Sequence, residues 1–112
     1  EALAPVESIT TPAEPEGFTH VYHQYTLLCR GRDEREALMA RLAAADIASA
    51  VYYPVPLHRQ AAFGGSDRAI TVGTHGSGCP VAETVAERCL SLPIYPELPE
   101  PDIDRVIEVI RG

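Results

Sequence analysis

The sequence has 112 residues, 46% of them hydrophobic, and its nine basic and 16 acidic side chains give a formal net charge of −7. That length suits one small globular domain, and the acidic balance argues against binding a nucleic-acid backbone, which needs a basic face. No apolar run approaches a membrane span, and an N-terminus with Glu1, Glu7, Glu14 and Glu16 but no basic n-region does not read as a signal peptide.

Cys29, Cys79 and Cys89 form no CxxC pair and no even framework, so reduced cytosolic thiols are the natural reading. The chain does not begin with methionine and its one Met is Met39, so it reads as an excised piece. It contains no lysine; every basic residue is an arginine. Chemistry that needs an internal lysine, such as a Schiff base, is therefore closed to this chain alone.

Residues 1–17, with Pro5, Pro12, Pro15 and Gly17, read as an extended lead-in or linker that Val6 and Ile9 could pin to a neighbouring surface. His20–Arg30 reads as a central strand, with Val21, His23, Tyr25, Leu27 and Cys29 on one face and Tyr22, Gln24, Thr26 and Leu28 on the other. Asp33 as N-cap with Glu36 three residues on makes a capping-box pattern for a helix over about Glu34–Ala45, its inner face Ala37, Leu38, Arg41, Leu42 and Ala45. A second strand is expected over Ile47–Tyr53. Links this short would make the two strands parallel, unless another strand intervenes.

Pro54 and Pro56 lock their own φ and stop that strand, which presents Leu57, His58, Arg59 and Gln60 at its end. Residues 61–79 carry five glycines and read as a functional or disordered loop, with a short strand possible at Ala69–Val72. Pro80 suits the first turn of a second helix with Cys79 near its cap. That helix runs to about Leu90 with Val81, Ala82, Val85 and Cys89 inward and Glu83, Glu87 and Arg88 outward. Ser91–Tyr95 is a short strand closed by Pro96. A third helix, Pro101–Arg111, has Ile103, Val106, Ile107 and Ile110 at i, i+3, i+4, i+7 spacing.

The order β-α-β-loop-α-β-α predicts an α/β fold of the α+β type, a two-layer sandwich with helices on one face of a mainly three-stranded sheet. Without lead-in and loop, roughly 76 residues remain for the packed core, a size at which burial is marginal. The uncovered sheet face or an edge is expected to rest on a second domain or subunit.

Candidate chemistry is sparse. His20 and His23 sit on opposite faces of a strand, so separate hydrogen-bonded histidines explain them better than zinc. Cys79 at a helix N-terminus with His75 nearby lacks an orienting acid and an oxyanion motif. The glycines of 61–79 match no phosphate-cradle motif, and a flexible lid suits them better. Tyr52, Tyr53 and His58 offer aromatic surface and a titratable ring at one strand end, a candidate ligand site. The plainer alternative is one core tyrosine and a His58 bonded to a backbone carbonyl.

Four segments in this order carry a resemblance: YHQYTLL at 22–28, ADIASAVYYPVPLHRQAAF at 45–63, CPVAETVAERCLSLPIYPEL at 79–98 and PDIDRVIEVI at 101–110. The chain resembles the C-terminal small domain of the DegT/DnrJ/EryC1/StrS family of nucleotide-sugar aminotransferases over about residues 20–110. The resemblance implies a fold-type I enzyme that uses pyridoxal phosphate. A large N-terminal catalytic domain would hold that cofactor and its lysine, and active sites would form at a homodimer interface in the cytoplasm. It implies amino transfer, with glutamate as donor, to a nucleotide-linked keto-sugar, with Tyr52, Tyr53 and His58 walling the substrate pocket. No catalytic, cofactor-binding or metal residue is assigned to this chain, which is expected to be inactive alone. Many relatives have histidine where Tyr52 stands, and Arg68 or His75 would reach substrate only from the loop. Two other readings remain: a non-catalytic ligand-binding or interaction module, and a ferredoxin-like regulatory domain.

Overall fold

The structure, a computed structural model, describes residues 2–63 and 79–112. A five-residue strand lies at its centre. This strand, β2 (Tyr25–Cys29), follows the edge strand β1 (Ile9–Thr10) in the chain and pairs antiparallel with it, Ile9 opposite Cys29. Its other edge pairs antiparallel with β3 (Cys89–Leu92), setting Tyr25 opposite Leu92 and Leu27 opposite Leu90. Three helices complete the two-layer α+β sandwich: α1 (Arg32–Ala44), α2 (Pro80–Arg88) and α3 (Glu100–Arg111).

Alternation along β2 places Leu27 and Cys29 on one face, where they join Leu90 and Leu92 of β3. Leu38 and Leu42 of α1 and Ile110 of α3 close over them. The other face is polar at its centre, where the Thr26 and Ser91 hydroxyls share a hydrogen bond of 2.8 Å. The lead-in is pinned at two points: Leu3 is buried in the same core, and Ile9 and Thr10 supply the edge strand.

The central strand is shorter than the 20–30 expected. Tyr22 sits at φ +45°, in the left-handed region that bulky side chains rarely adopt. Its amide donates to His20 Nδ1 at 2.8 Å, and the His20 ring stacks on the Tyr22 ring with centroids 4.3 Å apart. That local knot takes residues 20–24 out of the ladder, leaving Val21 exposed rather than facing the core.

The strand expected at 47–53 reduces to a single antiparallel bridge between Ala50 and Ser91, with N–O distances of 3.1 and 2.7 Å. Beyond it the prolines interrupt donor spacing, and the Tyr52 carbonyl accepts from Cys89 Sγ at 3.8 Å. Two antiparallel steps make this segment run in the same direction as β2. It is not β2's neighbour, because β3 lies between them, so no parallel ladder forms.

α1 starts two residues earlier than expected. Its N-cap is Gly31, which makes no side-chain cap, so the Asp33–Glu36 capping box does not form. Asp33 and Glu34 instead place charge in the first turn, where the helix dipole favours it. At the other end Asp46 adopts φ +61°. The Asp46 amide donates to Ala43 O and the Ile47 amide to Leu42 O, the paired bonds of a Schellman C-cap. Arg35, absent from the expected inner face, is buried, whereas Ala37 and Arg41 are exposed. Arg41 donates instead to Ile110 O on α3 at 3.3 Å.

α2 begins as expected, with Cys79 at the N-cap and Pro80 in the first turn, but its faces are turned. Ala86 is buried, while Val81 is 77% exposed and Ala82 and Val85 also face outward. The expected strand at 69–72, the glycine-rich run and the loop residues Arg68 and His75 lie outside the described residues.

Candidate functional site

Residues 50–60 form an arch fixed at both ends. The Ala50–Ser91 bridge holds the near end to β3. Pro54 and Pro56 stiffen the middle, and a short 3-10 turn at Leu57–Arg59 ends it. Tyr53 is 70% exposed, and Val55 and Leu57 also project from the surface.

The far end is held by one carboxylate on α2. Glu83 Oε1 lies 2.8 Å from His58 Nε2 and accepts from Arg59 Nη2 at 3.0 Å and Nε at 3.2 Å. The His58 side chain is only 10% exposed. The hydrogen bonds from His58 and then Arg59 hold the Glu83 carboxyl below its ordinary range, outweighing its partial desolvation. The His58 ring thus has a specific carboxylate partner rather than the backbone carbonyl of the plainer alternative.

The three residues singled out from sequence therefore diverge. The Tyr52 and Tyr53 rings meet edge to face with centroids 5.7 Å apart. Tyr52 borders a hollow of about 510 Å³ with His23, Gln24, Ser91 and Tyr95. Tyr53 borders a separate apolar hollow of about 370 Å³ with Val55, Leu57, Ala82 and Val85. His58 turns away from both, into Glu83. The arrangement can present aromatic and apolar surface to a ligand or neighbour; it does not bring the three side chains into one cleft.

Cys29 and Cys89 are buried, and desolvation pushes both thiols up, only partly opposed by the Arg35 charge. They are poor nucleophiles in this setting. Cys79 is partly exposed at the α2 N-cap. Among the described residues no group of three or more His, Cys, Asp or Glu converges to hold a metal ion. Among them, too, no helix is long and apolar enough to cross a membrane.

Sequence reasoning missed Glu83, which was placed on the outer face of the second helix, and gave Arg59 no partner. A signal existed: two consecutive basic residues on a proline-stiffened backbone need an acid within reach if either is to be shielded from water.

The family model of the DegT/DnrJ/EryC1/StrS aminotransferases matches residues 1–111. A UDP-N-acetyl-3-dehydro-alpha-D-glucosamine 3-aminotransferase from Acidithiobacillus ferrooxidans is 48% identical over 89% of this chain and 24% of its own length. Among solved structures, an aminotransferase of the same family from Brucella abortus is 36% identical with a TM-score of 0.81, covering 99% of this chain and 27% of its own. A sugar aminotransferase from Streptococcus pneumoniae, solved in PMP and PLP forms, is 26% identical, with TM-scores of 0.76 and 0.73 over 97% of this chain and 26% of its own. The chain thus spans about a quarter of the length of the relatives it matches.

Proposed function

The chain belongs to the DegT/DnrJ/EryC1/StrS aminotransferase family, and on that premise we propose that it is the C-terminal part of an enzyme that aminates a nucleotide-linked keto-sugar, with glutamate as donor. The observation that carries the reading is the family match over residues 1–111, joined to a structural likeness over 99% of the chain. The family is pyridoxal-phosphate dependent. The 112 residues contain no lysine, so covalent attachment of that cofactor does not fit this chain and belongs to the remainder of the protein. When bound there, the cofactor supplies the electron sink for amino-group transfer.

The role proposed for this part is to wall the substrate pocket. Tyr52 and Tyr53 supply rings on which a sugar or base can lie, and the arch that bears them is tied to α2 through Arg59 and Glu83. The apolar surface of Val55, Leu57, Val81 and Val85 is the kind a neighbouring domain covers. The partners proposed are the N-terminal catalytic domain, a second copy of the protein, and the nucleotide sugar. The location proposed is the cytoplasm, where unpaired Cys29, Cys79 and Cys89 would persist.

The test is made on the whole protein that carries this chain. It should take up pyridoxal phosphate, show the cofactor's absorbance, and release more than one equivalent of 2-oxoglutarate from glutamate only when a keto-sugar nucleotide is supplied. The isolated 112 residues should do neither. Failure of the whole protein to aminate any keto-sugar nucleotide overturns the proposal, as does turnover by the lysine-free chain.

A further inference from the structure

The arch reaches its exposed tyrosine between two fixed points, and the two are unequal. At the near end the Ala50–Ser91 bridge is a backbone pair, independent of side-chain identity. At the far end everything converges on one oxygen, Glu83 Oε1, which serves His58 and two nitrogens of Arg59. Both contacts cross from residues 58–59 to α2, some 24 residues on in the sequence. No other side-chain hydrogen bond among the described residues ties residues 53–60 to the rest of the chain.

We infer that Glu83 is a positioning residue for the sugar substrate, acting through His58 and Arg59 to hold the Tyr52–Leu57 arch over α2. The inference rests on the pocket-wall reading above. Pro54 and Pro56 remove two of the arch's soft torsions, so displacement at residue 58 is passed along the backbone to Tyr53 instead of being absorbed. The Leu57–Arg59 turn that links them is closed by Arg59 N to Pro56 O at 2.9 Å and Gln60 N to Leu57 O at 3.2 Å. A neutral amide at position 83 is nearly the same shape and can still accept from the charged Arg59, but it gives up the acceptor's charge and with it the ion pair. The arch would then be ordered only on binding, which weakens affinity for the ligand it contacts without altering the chemistry of the bound complex.

The experiment compares wild type, Glu83→Gln and Arg59→Gln in the whole protein that carries this chain. Both half-reactions are measured, with amide hydrogen exchange at residues 57–60 as a readout independent of activity. In Glu83→Gln the KM for the keto-sugar nucleotide should rise about tenfold, the loss expected from one charge-assisted hydrogen bond. Its kcat should stay within about twofold, the glutamate half-reaction should be unchanged, and exchange at residues 57–60 should speed up. Arg59→Gln leaves the His58 contact and should shift KM less. An unchanged KM, or equal losses in both half-reactions, overturns the inference while an active wild type leaves the functional reading standing. A folded wild type that aminates no keto-sugar nucleotide removes that reading, and this role with it.

Discussion

Arg35 tests how much of this small fold rests on a buried cation. Its side chain is 9% exposed, Nη1 donates to Ala86 O at 3.0 Å, and Nε has no partner. Ala86 lies in the last turn of α2, where carbonyls lack intrahelical donors, so the guanidinium caps that helix from α1. A hydrogen bond from a charged group contributes about 1.5–3 kcal/mol. Against it stand the desolvation of the guanidinium and the orphaned Nε, which together cost a similar amount. Arg35→Met keeps most of the stem volume and removes both terms but leaves the Ala86 carbonyl without a donor, so it should destabilise by about 1–2 kcal/mol. Arg35→Ala also leaves a void between α1 and α2 and should cost about 3 kcal/mol. Urea unfolding followed by circular dichroism gives both numbers if the transition is two-state with an unchanged slope. If methionine costs as much as alanine, the bond outweighs its desolvation and the argument is wrong.

Three further outcomes follow from named contacts. Asp46 occupies a left-handed Schellman position at φ +61°, so Asp46→Gly should stabilise the chain by about 0.5–1 kcal/mol in the same assay; a loss would mean that the aspartate side chain contributes there. The Glu83 carboxyl is depressed by His58 and then Arg59, so its contribution to stability is fully present above the unfolded value of about 4.3 and disappears as pH falls through the lower folded value. The gap in thermal midpoint between wild type and Glu83→Gln should accordingly close on acidification from about pH 6 to about pH 3, and a constant gap refutes it. Native alkylation at about pH 8 should modify Cys79 well before Cys29 and Cys89, each 1% exposed with a thiol raised by burial; peptide mass mapping reads the order, and equal rates refute it.

Much of the architecture could be read from local pattern. Alternation at Tyr25–Cys29 and the i, i+3, i+4, i+7 spacing of α3 put Leu27, Cys29 and Ile110 in the core, where they are. The misreadings share a cause: competition for backbone groups that residue patterning does not record. Ile47–Tyr53 has strand composition and meets the outer edge of β3 at Ala50, but past Ala50 the prolines leave the segment too few regularly spaced donors for a ladder. Residues 20–24 lose their place in β2 to a bond from the Tyr22 amide to the His20 ring, which no periodicity encodes. The need for an acid near His58 and Arg59 could be read from the sequence, but not that Glu83 supplies it, since the carboxylate lies 24 and 25 residues away across the arch.

The case of α2 shows what amphipathic spacing can and cannot specify. Val81, Ala82 and Val85 share a stripe, and the ordinary inference is that such a stripe faces the domain's own core. Here Ala86, next to the stripe, meets α1, while Val81 is exposed and Ala82 and Val85 border a hollow with Tyr53 and Leu57. Two considerations favour that orientation over the expected one. Turning the valines inward would swing Glu83 away from His58 and Arg59, leaving a nearly buried imidazole and a guanidinium without their acid. It would also withdraw the Ala86 carbonyl from Arg35, whose side chain is too buried to find water instead. The contacts of the nearly buried His58 ring and the buried Arg35 side chain favour this rotation of the helix, and the apolar stripe is left to whatever neighbour can cover it. Periodicity reports that a face is suited to burial; it does not report in which chain, or which domain, the burying surface lies.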